Sequence, residues 1–280
     1  MKSRLAARML GILAPTVLLS GILAGCSSDM ELGQSQQAAS SHKSIVLVHG
    51  SWMGGWVWAD VAAKLRNQGE RVAVVTLPAH DADPTPATSA TMAGYVSTVS
   101  TAVHSLPTPV YLVGHSMAGM VISQFAENEP STVKQLIYFA AFLPQNGQSL
   151  NDLAQQDPNS LIYQNLTIDQ VNGVAILPIP QLPAIMCADC NTTQAANLQN
   201  HYRDEPLGPL GTPVTLTQAN WGSRDKRYFF TVNDRGVTYP LQQTMAASTS
   251  LTKTISMDSS HCPHLSMAAT FADRLETLMK

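Results

Sequence analysis

An α/β fold built on a mostly parallel sheet and flanked by helices is predicted by three features of this chain. Short apolar, β-branched runs alternate with segments of helical spacing. Several runs end in clusters of Gly, His, Ser or Asn, as strands do when loops at their carboxyl ends carry function. The 280 residues are 45% hydrophobic, enough to fill the core of one large domain. Only 12% are charged and the net charge is −3, so no basic face exists for nucleic acid.

The first 25 residues stand apart from the fold. Lys2, Arg4 and Arg8 precede an apolar run from Met9 to Ala24 that contains Pro15 and is short for a membrane span. This is the pattern of a secretory leader. Its end, Leu23-Ala24-Gly25-Cys26, resembles a bacterial lipobox. That resemblance implies cleavage before Cys26, lipidation of its thiol and attachment to the cell envelope. Ser27 after the cysteine implies the outer membrane where one exists. Residues 26–43 are polar and aperiodic and read as a tether.

The folded domain is expected over residues 44–280. Ser44–Val48 is a continuous apolar strand, followed by a Gly-rich break and a helix from Trp56 to Asn67 that ends at Gln68-Gly69. Arg71–Thr76 is a second strand and Thr91–Leu106 a helix. Val110–Val113 leads through Ser116 into a helix from Met117 to Asn128, and Lys134–Phe142 is a fourth strand. From Gln145 to about Ser223 the chain turns rich in Gln, Asn and Pro. That is too long for a bare loop and reads as an inserted cap. Its apolar clusters, Ile176-Leu177 and Leu182-Pro183, are expected to cover Ser116. Arg227–Val232 and Thr252–Met257 complete the sheet, with helices over Pro240–Ala247 and Pro263–Met279.

Three predicted strand ends carry groups that work together chemically. In Gly114-His115-Ser116-Met117-Ala118 a serine sits between small residues where strand meets helix, a turn that exposes its hydroxyl. Asp234 follows RYFFTVN, and His261 follows the last strand. A serine is a useful nucleophile only beside a base, and the base needs an acid to orient it. Backbone N–H groups of Ser51 and Met117 would receive the developing oxyanion. Trp52 borders that loop as a pocket residue. Asp225 lies at the wrong end of its strand, Asp258 is three residues from His261 and caps the loop, and His264 is the rival base. His49 and His115 are expected to hold backbone. Cys187 and Cys190 could form a local disulfide in an exported protein or remain two buried thiols; without a second Cys/His pair of zinc spacing, no metal is expected.

The order Ser, Asp, His is that of the α/β-hydrolases. IVLVHGSWMGGWVW, LPAH, VYLVGHSMAGMVISQ, FAAFLPQNGQSL and SSHCPHLS resemble bacterial members of the branch that contains plant methylesterases and hydroxynitrile lyases. The similarity runs from about residue 44 to 280. It implies ester hydrolysis through Ser116, Asp234 and His261 without a cofactor, on small to medium apolar esters held under the cap. Two positions depart from the pattern. Ala118 replaces a glycine, and Cys262 stands where the lyases carry a lysine after the catalytic histidine, which argues against cyanohydrin cleavage. A lyase and a ligand-binding receptor on the same scaffold are the competing readings.

Overall fold

A computed structural model of the chain describes residues 42–280. The leader, Cys26 and all of the tether but its last two residues lie outside the described residues. Lys43 is already part of the folded body: its ammonium bridges Glu70 and Glu276, each at 2.8 Å.

Six parallel strands form the central sheet in the order β2-β1-β3-β4-β8-β9. They are β1 (Ser44–Val48), β2 (Arg71–Val75), β3 (Val110–His115), β4 (Val133–Phe139), β8 (Lys226–Thr231) and β9 (Lys253–Met257). All five residues of β1 are buried, as expected of a strand covered on both faces. Between the first four strands lie α1 (Ala59–Asn67), α2 (Met92–His104) and α3 (Ala118–Asn128). Thr91 caps α2 by accepting from the Gly94 N–H at 3.0 Å, and Gly69 closes α1 at φ 93°. After β8 come α9 (Tyr239–Ala247), α10 (Pro263–Ser266) and α11 (Ala268–Met279).

The differences from the sequence expectation have local causes. The helix after β1 starts as a tight turn over Gly55–Trp58 and becomes α-helical only at Ala59. β4 stops at Phe139, because Ala140 takes a left-handed conformation (φ 45°) and swings Phe142 toward Ser116. The last helix is two helices, broken at Met267 (φ −138°, ψ 41°).

Between β4 and β8 the chain builds a separate small layer. It holds α4 (Leu150–Ala154), α5 (Leu161–Asn165), α6 (Leu182–Met186), α7 (Thr192–Asn200) and α8 (Leu207–Gly211). A three-stranded antiparallel sheet runs through it, β5 (Thr167–Asp169), β6 (Val174–Ile176) and β7 (Glu205–Pro206). These elements are two to nine residues long, too short to show a clear hydrophobic period.

Candidate active site

Ser116 sits directly after β3 with φ 54°, a left-handed conformation that is strained for a side-chain-bearing residue and clusters at functional turns. Its neighbours must be small. A Cβ at Gly50 would lie 2.7 Å from the Ser116 Cβ, and one at Gly119 would lie 1.9 Å from the Phe142 carbonyl oxygen. The residue two after the serine is Ala118, fully buried and accommodated. The close approach that demands glycine falls one position later, at Gly119. The Ser116 carbonyl accepts from the Gly119 and Phe142 N–H groups, both at 3.1 Å, which ties the turn to the end of β4.

The other two predicted groups meet. His261 Nδ1 lies 2.7 Å from Asp234 Oδ2, and both side chains are buried. The Asp234 carboxylate is heavily braced. Oδ2 also accepts from Thr231 Oγ1 (2.7 Å) and Gln242 Nε2 (3.0 Å), and Oδ1 from the N–H groups of Gly236 (2.8 Å) and Val237 (2.9 Å). A carboxylate whose two oxygens already accept four hydrogen bonds faces Nδ1, so the imidazole carries its hydrogen there and Nε2 is left to accept a proton. His261 Nε2 is buried and has no hydrogen-bond partner among the described residues. Ser116 Oγ is not hydrogen-bonded to it, and such bonds are often loose before a substrate is engaged. The ring of His115, next to Ser116, is 4.5 Å from the His261 ring, and its Nε2 donates to the His261 carbonyl at 3.0 Å.

The rival groups are placed elsewhere. Asp225 bonds Gln135 and Thr252 beside the start of β8, and exposed Asp258 accepts from Asn233. His264 is buried against Trp58, ring centroids 4.6 Å apart. His49 holds backbone, accepting from the Leu77 N–H at 3.0 Å. Burial keeps His49, His115 and His264 well below the usual imidazole range, and neighbouring histidines add to this: His80 for His49, His264 and His261 for His115, and His261 and His49 for His264. One grouping has no signature in sequence spacing: donor atoms of His115, Cys262 and His264 lie within 4.8 Å of one another. Burial first, then the charges of Asp234 and Asp189, pushes the Cys262 thiol well above its usual range.

The N–H groups of Ser51 and Met117 donate to no hydrogen bond among the described residues. Ser51, Trp52 and Ser116 line one cavity of about 230 Å³. Leu150, Ile162, Leu166, Ile168 and Leu210 from the inserted layer, with Phe142 and Leu241, make it mainly apolar. Leu177 and Leu182 do not line it. They are fully buried in the core, so these two leucines, expected over Ser116, are packing residues. Cys187 and Cys190 are joined by a disulfide. The loop they close carries Asp189, which accepts from the Ser260 N–H (2.9 Å) and hydroxyl, directly beside His261.

Similar proteins agree with this architecture. Several chloroplastic proteins of Arabidopsis thaliana whose names carry the word methylesterase are 25–29% identical to the chain, which spans 49–68% of their length. Esterase PIR7B of Oryza sativa subsp. japonica is 27% identical over 230 residues, 75% of this chain and 85% of that protein. Alpha-hydroxynitrile lyase of Arabidopsis thaliana is 36% identical over 102 residues, 35% of this chain and 40% of the lyase. The crystal structure of polyneuridine aldehyde esterase superposes with a TM-score of 0.76 at 20% identity, covering 85% of this chain and all of that one, and this likeness bears on fold. The sequence profile of the family described as "Alpha/beta hydrolase family" matches residues 45–274, and the chain belongs to that family.

Proposed function

We propose that the protein is a cofactor-independent serine esterase acting on small to medium, mainly apolar carboxylic esters. The observation that carries this reading is the His261–Asp234 pair, its buried Nε2 without a hydrogen-bond partner among the described residues and its ring 4.5 Å from that of His115, the residue before Ser116 in its strained turn. In the acylation half-reaction Ser116 Oγ bonds to the acyl carbon while His261 Nε2 takes the hydroxyl proton. The oxyanion is received by the N–H groups of Ser51 and Met117. Collapse breaks the bond to the alcohol oxygen, which takes the proton from His261 and leaves. Water then attacks the acyl-enzyme by the same route, releasing the acid and restoring Ser116.

The apolar cavity supports a neutral substrate. Its one acidic lining residue, Asp157, is committed to the Thr238 N–H (2.8 Å) and hydroxyl (2.7 Å). The residue after His261 weighs against cyanohydrin cleavage: Cys262 is buried and its thiol is held neutral, so no cation stands there to receive cyanide. On the leader reading, this esterase works at the bacterial cell envelope, tethered through Cys26.

The test compares wild type and Ser116→Ala on p-nitrophenyl and methyl esters of graded chain length, with mass spectrometry after a fluorophosphonate. Saturable turnover and a single adduct on Ser116 are expected. Labelling without turnover would establish the binding-receptor reading instead, and cyanide release from cyanohydrins would establish the lyase.

A further inference from the structure

Trp52, the residue after the Ser51 oxyanion donor, is held by the inserted layer at three points. Its N–H donates to Glu205 Oε2 (3.0 Å), its indole N–H to the Ala175 carbonyl (2.9 Å), and its carbonyl accepts from the Arg203 N–H (3.5 Å). Glu205 lies in β7 and is fully buried. A carboxylate there needs compensation. It comes from His80, also fully buried, whose Nε2 lies 2.8 Å from the same Oε2 and whose Nδ1 lies 3.1 Å from the Pro78 carbonyl. Both ring nitrogens face acceptors, so the ring is an imidazolium. Burial opposes that charge, but the attraction of Glu205 and its hydrogen bond outweigh it and raise the His80 pKa.

The peptide that Glu205 grips is adjacent to the one that serves the oxyanion. Trp52 has φ 60°, so the Ser51–Trp52 turn is not one the chain adopts freely. With the Trp52 N–H fixed on Glu205, the preceding N–H of Ser51 has no partner among the described residues and belongs to a residue that lines the same cavity as Ser116. A bare carboxylate behind that loop would repel a developing oxyanion; the His80 cation offsets it. We propose that Glu205, neutralised by His80, is a positioning residue that sets the Ser51 N–H for the transition state by gripping the Trp52 N–H. The proposal rests on the esterase reading above. It makes the inserted layer part of the oxyanion apparatus as well as a cover.

Glu205→Gln preserves the geometry: an amide oxygen at the Oε2 position can accept from both the Trp52 N–H and the Nε2–H of His80, as the carboxylate oxygen does. Glu205→Asn is equally neutral but one methylene too short to reach. Glu205→Ala and Glu205→Leu remove the acceptor. Steady-state turnover of p-nitrophenyl butyrate is measured per active site, with sites counted by p-nitrophenol release from a p-nitrophenyl phosphonate. The alanine, leucine and asparagine variants should lose about tenfold to a hundredfold in kcat with KM within about threefold, less than the loss of an oxyanion donor itself. The glutamine variant should stay within about fivefold. Where alanine and leucine yield no titratable protein, glutamine against asparagine decides. Unchanged kcat in Glu205→Asn, a loss confined to KM, or Glu205→Gln as impaired as Glu205→Asn would overturn the proposal. Amide hydrogen exchange over residues 50–53 reads the grip without a substrate: it should accelerate in Glu205→Asn and not in Glu205→Gln, and equal exchange in both would also overturn it. Absence of ester turnover in wild type would count against the esterase reading alone, leaving exchange to decide the positioning claim.

Discussion

Gly119→Ala adds one methyl group at the most crowded point of the Ser116 turn. Its Cβ would fall 1.9 Å from the Phe142 carbonyl oxygen, against backbone that has no rotamer to change. Normal contact requires more than 1 Å of separation between the start of α3 and the segment after β4. That movement pulls on the Phe142 N–H bond to the Ser116 carbonyl. Overpacking costs about 1–3 kcal/mol and a lost hydrogen bond about 1, so the variant should be destabilised by about 2–4 kcal/mol. For a domain of this size that lowers Tm by roughly 5–15 °C. Catalysis should fall further than stability, because a displacement of about 1 Å at a reacting group costs on the order of 100-fold. The control is Ala118→Gly, which installs the commoner residue two after the serine. It removes one buried methyl and adds helix-interior glycine, for about 1–2 kcal/mol, without moving the turn. Calorimetry and kcat/KM on one good ester measure both. A Gly119→Ala protein with wild-type Tm and turnover would refute the packing argument, as would an Ala118→Gly protein damaged more severely.

Four further outcomes are expected. Ser116→Ala and His261→Ala should each lower kcat by about 10³-fold or more, and Asp234→Asn by less, whereas His264→Ala should lose about 2–3 kcal/mol of stability to a core cavity but keep most turnover per folded molecule; steady-state kinetics alongside urea denaturation separates the two kinds of loss. Stability should peak near neutral or mildly alkaline pH. His49, His115 and His264 have depressed folded pKa values, so the unfolded chain takes up protons below about pH 6.5 and stability falls there; His80 has a raised folded pKa, so its contribution is full below about pH 6.5 and is lost as pH rises through the folded value. Urea midpoints at pH 5, 7 and 9 check this, and midpoints that do not decline at acid pH would contradict it. Paired Cys187→Ser and Cys190→Ser changes should cost about 2 kcal/mol from so short a loop and lower kcat by loosening Asp189 from the Ser260 N–H, measurable by denaturation and turnover with and without reductant. Ile162→Ala and Leu166→Ala enlarge the apolar cavity and should shift kcat/KM toward longer acyl chains; an equal loss on every ester would point to misfolding instead.

The parts of the site that were legible in the sequence are those with a local signature. Ser116 is announced by a β-branched run before it and small residues around it, because the turn cannot close otherwise. Asp234 and His261 are found by following two other apolar strands to their ends. The same logic located the helices, although it could not see that Ala140 would end β4 early or that Met267 would divide the last helix, since each depends on one residue's backbone angle. In the inserted layer it failed for a physical reason. Leu177 and Leu182 are as apolar as Leu166 and Leu210, and only the three-dimensional path decides which pair reaches the cavity and which pair fills the core. The groups that hold the site were least visible. Gln242 and Thr231 brace Asp234, but nothing in their spacing distinguishes them from ordinary polar residues. Asp189 reaches Ser260 across 71 positions, and Glu205 reaches Trp52 across 153. Chemistry is written at strand ends, where the backbone itself imposes a pattern, while its alignment is set by long-range contacts from a layer whose short elements leave none. The same division explains the contrast expected in experiment: changes at Ser116 or His261 should abolish the chemical step, and changes at Glu205 or Asp189 should leave binding intact and misdirect it.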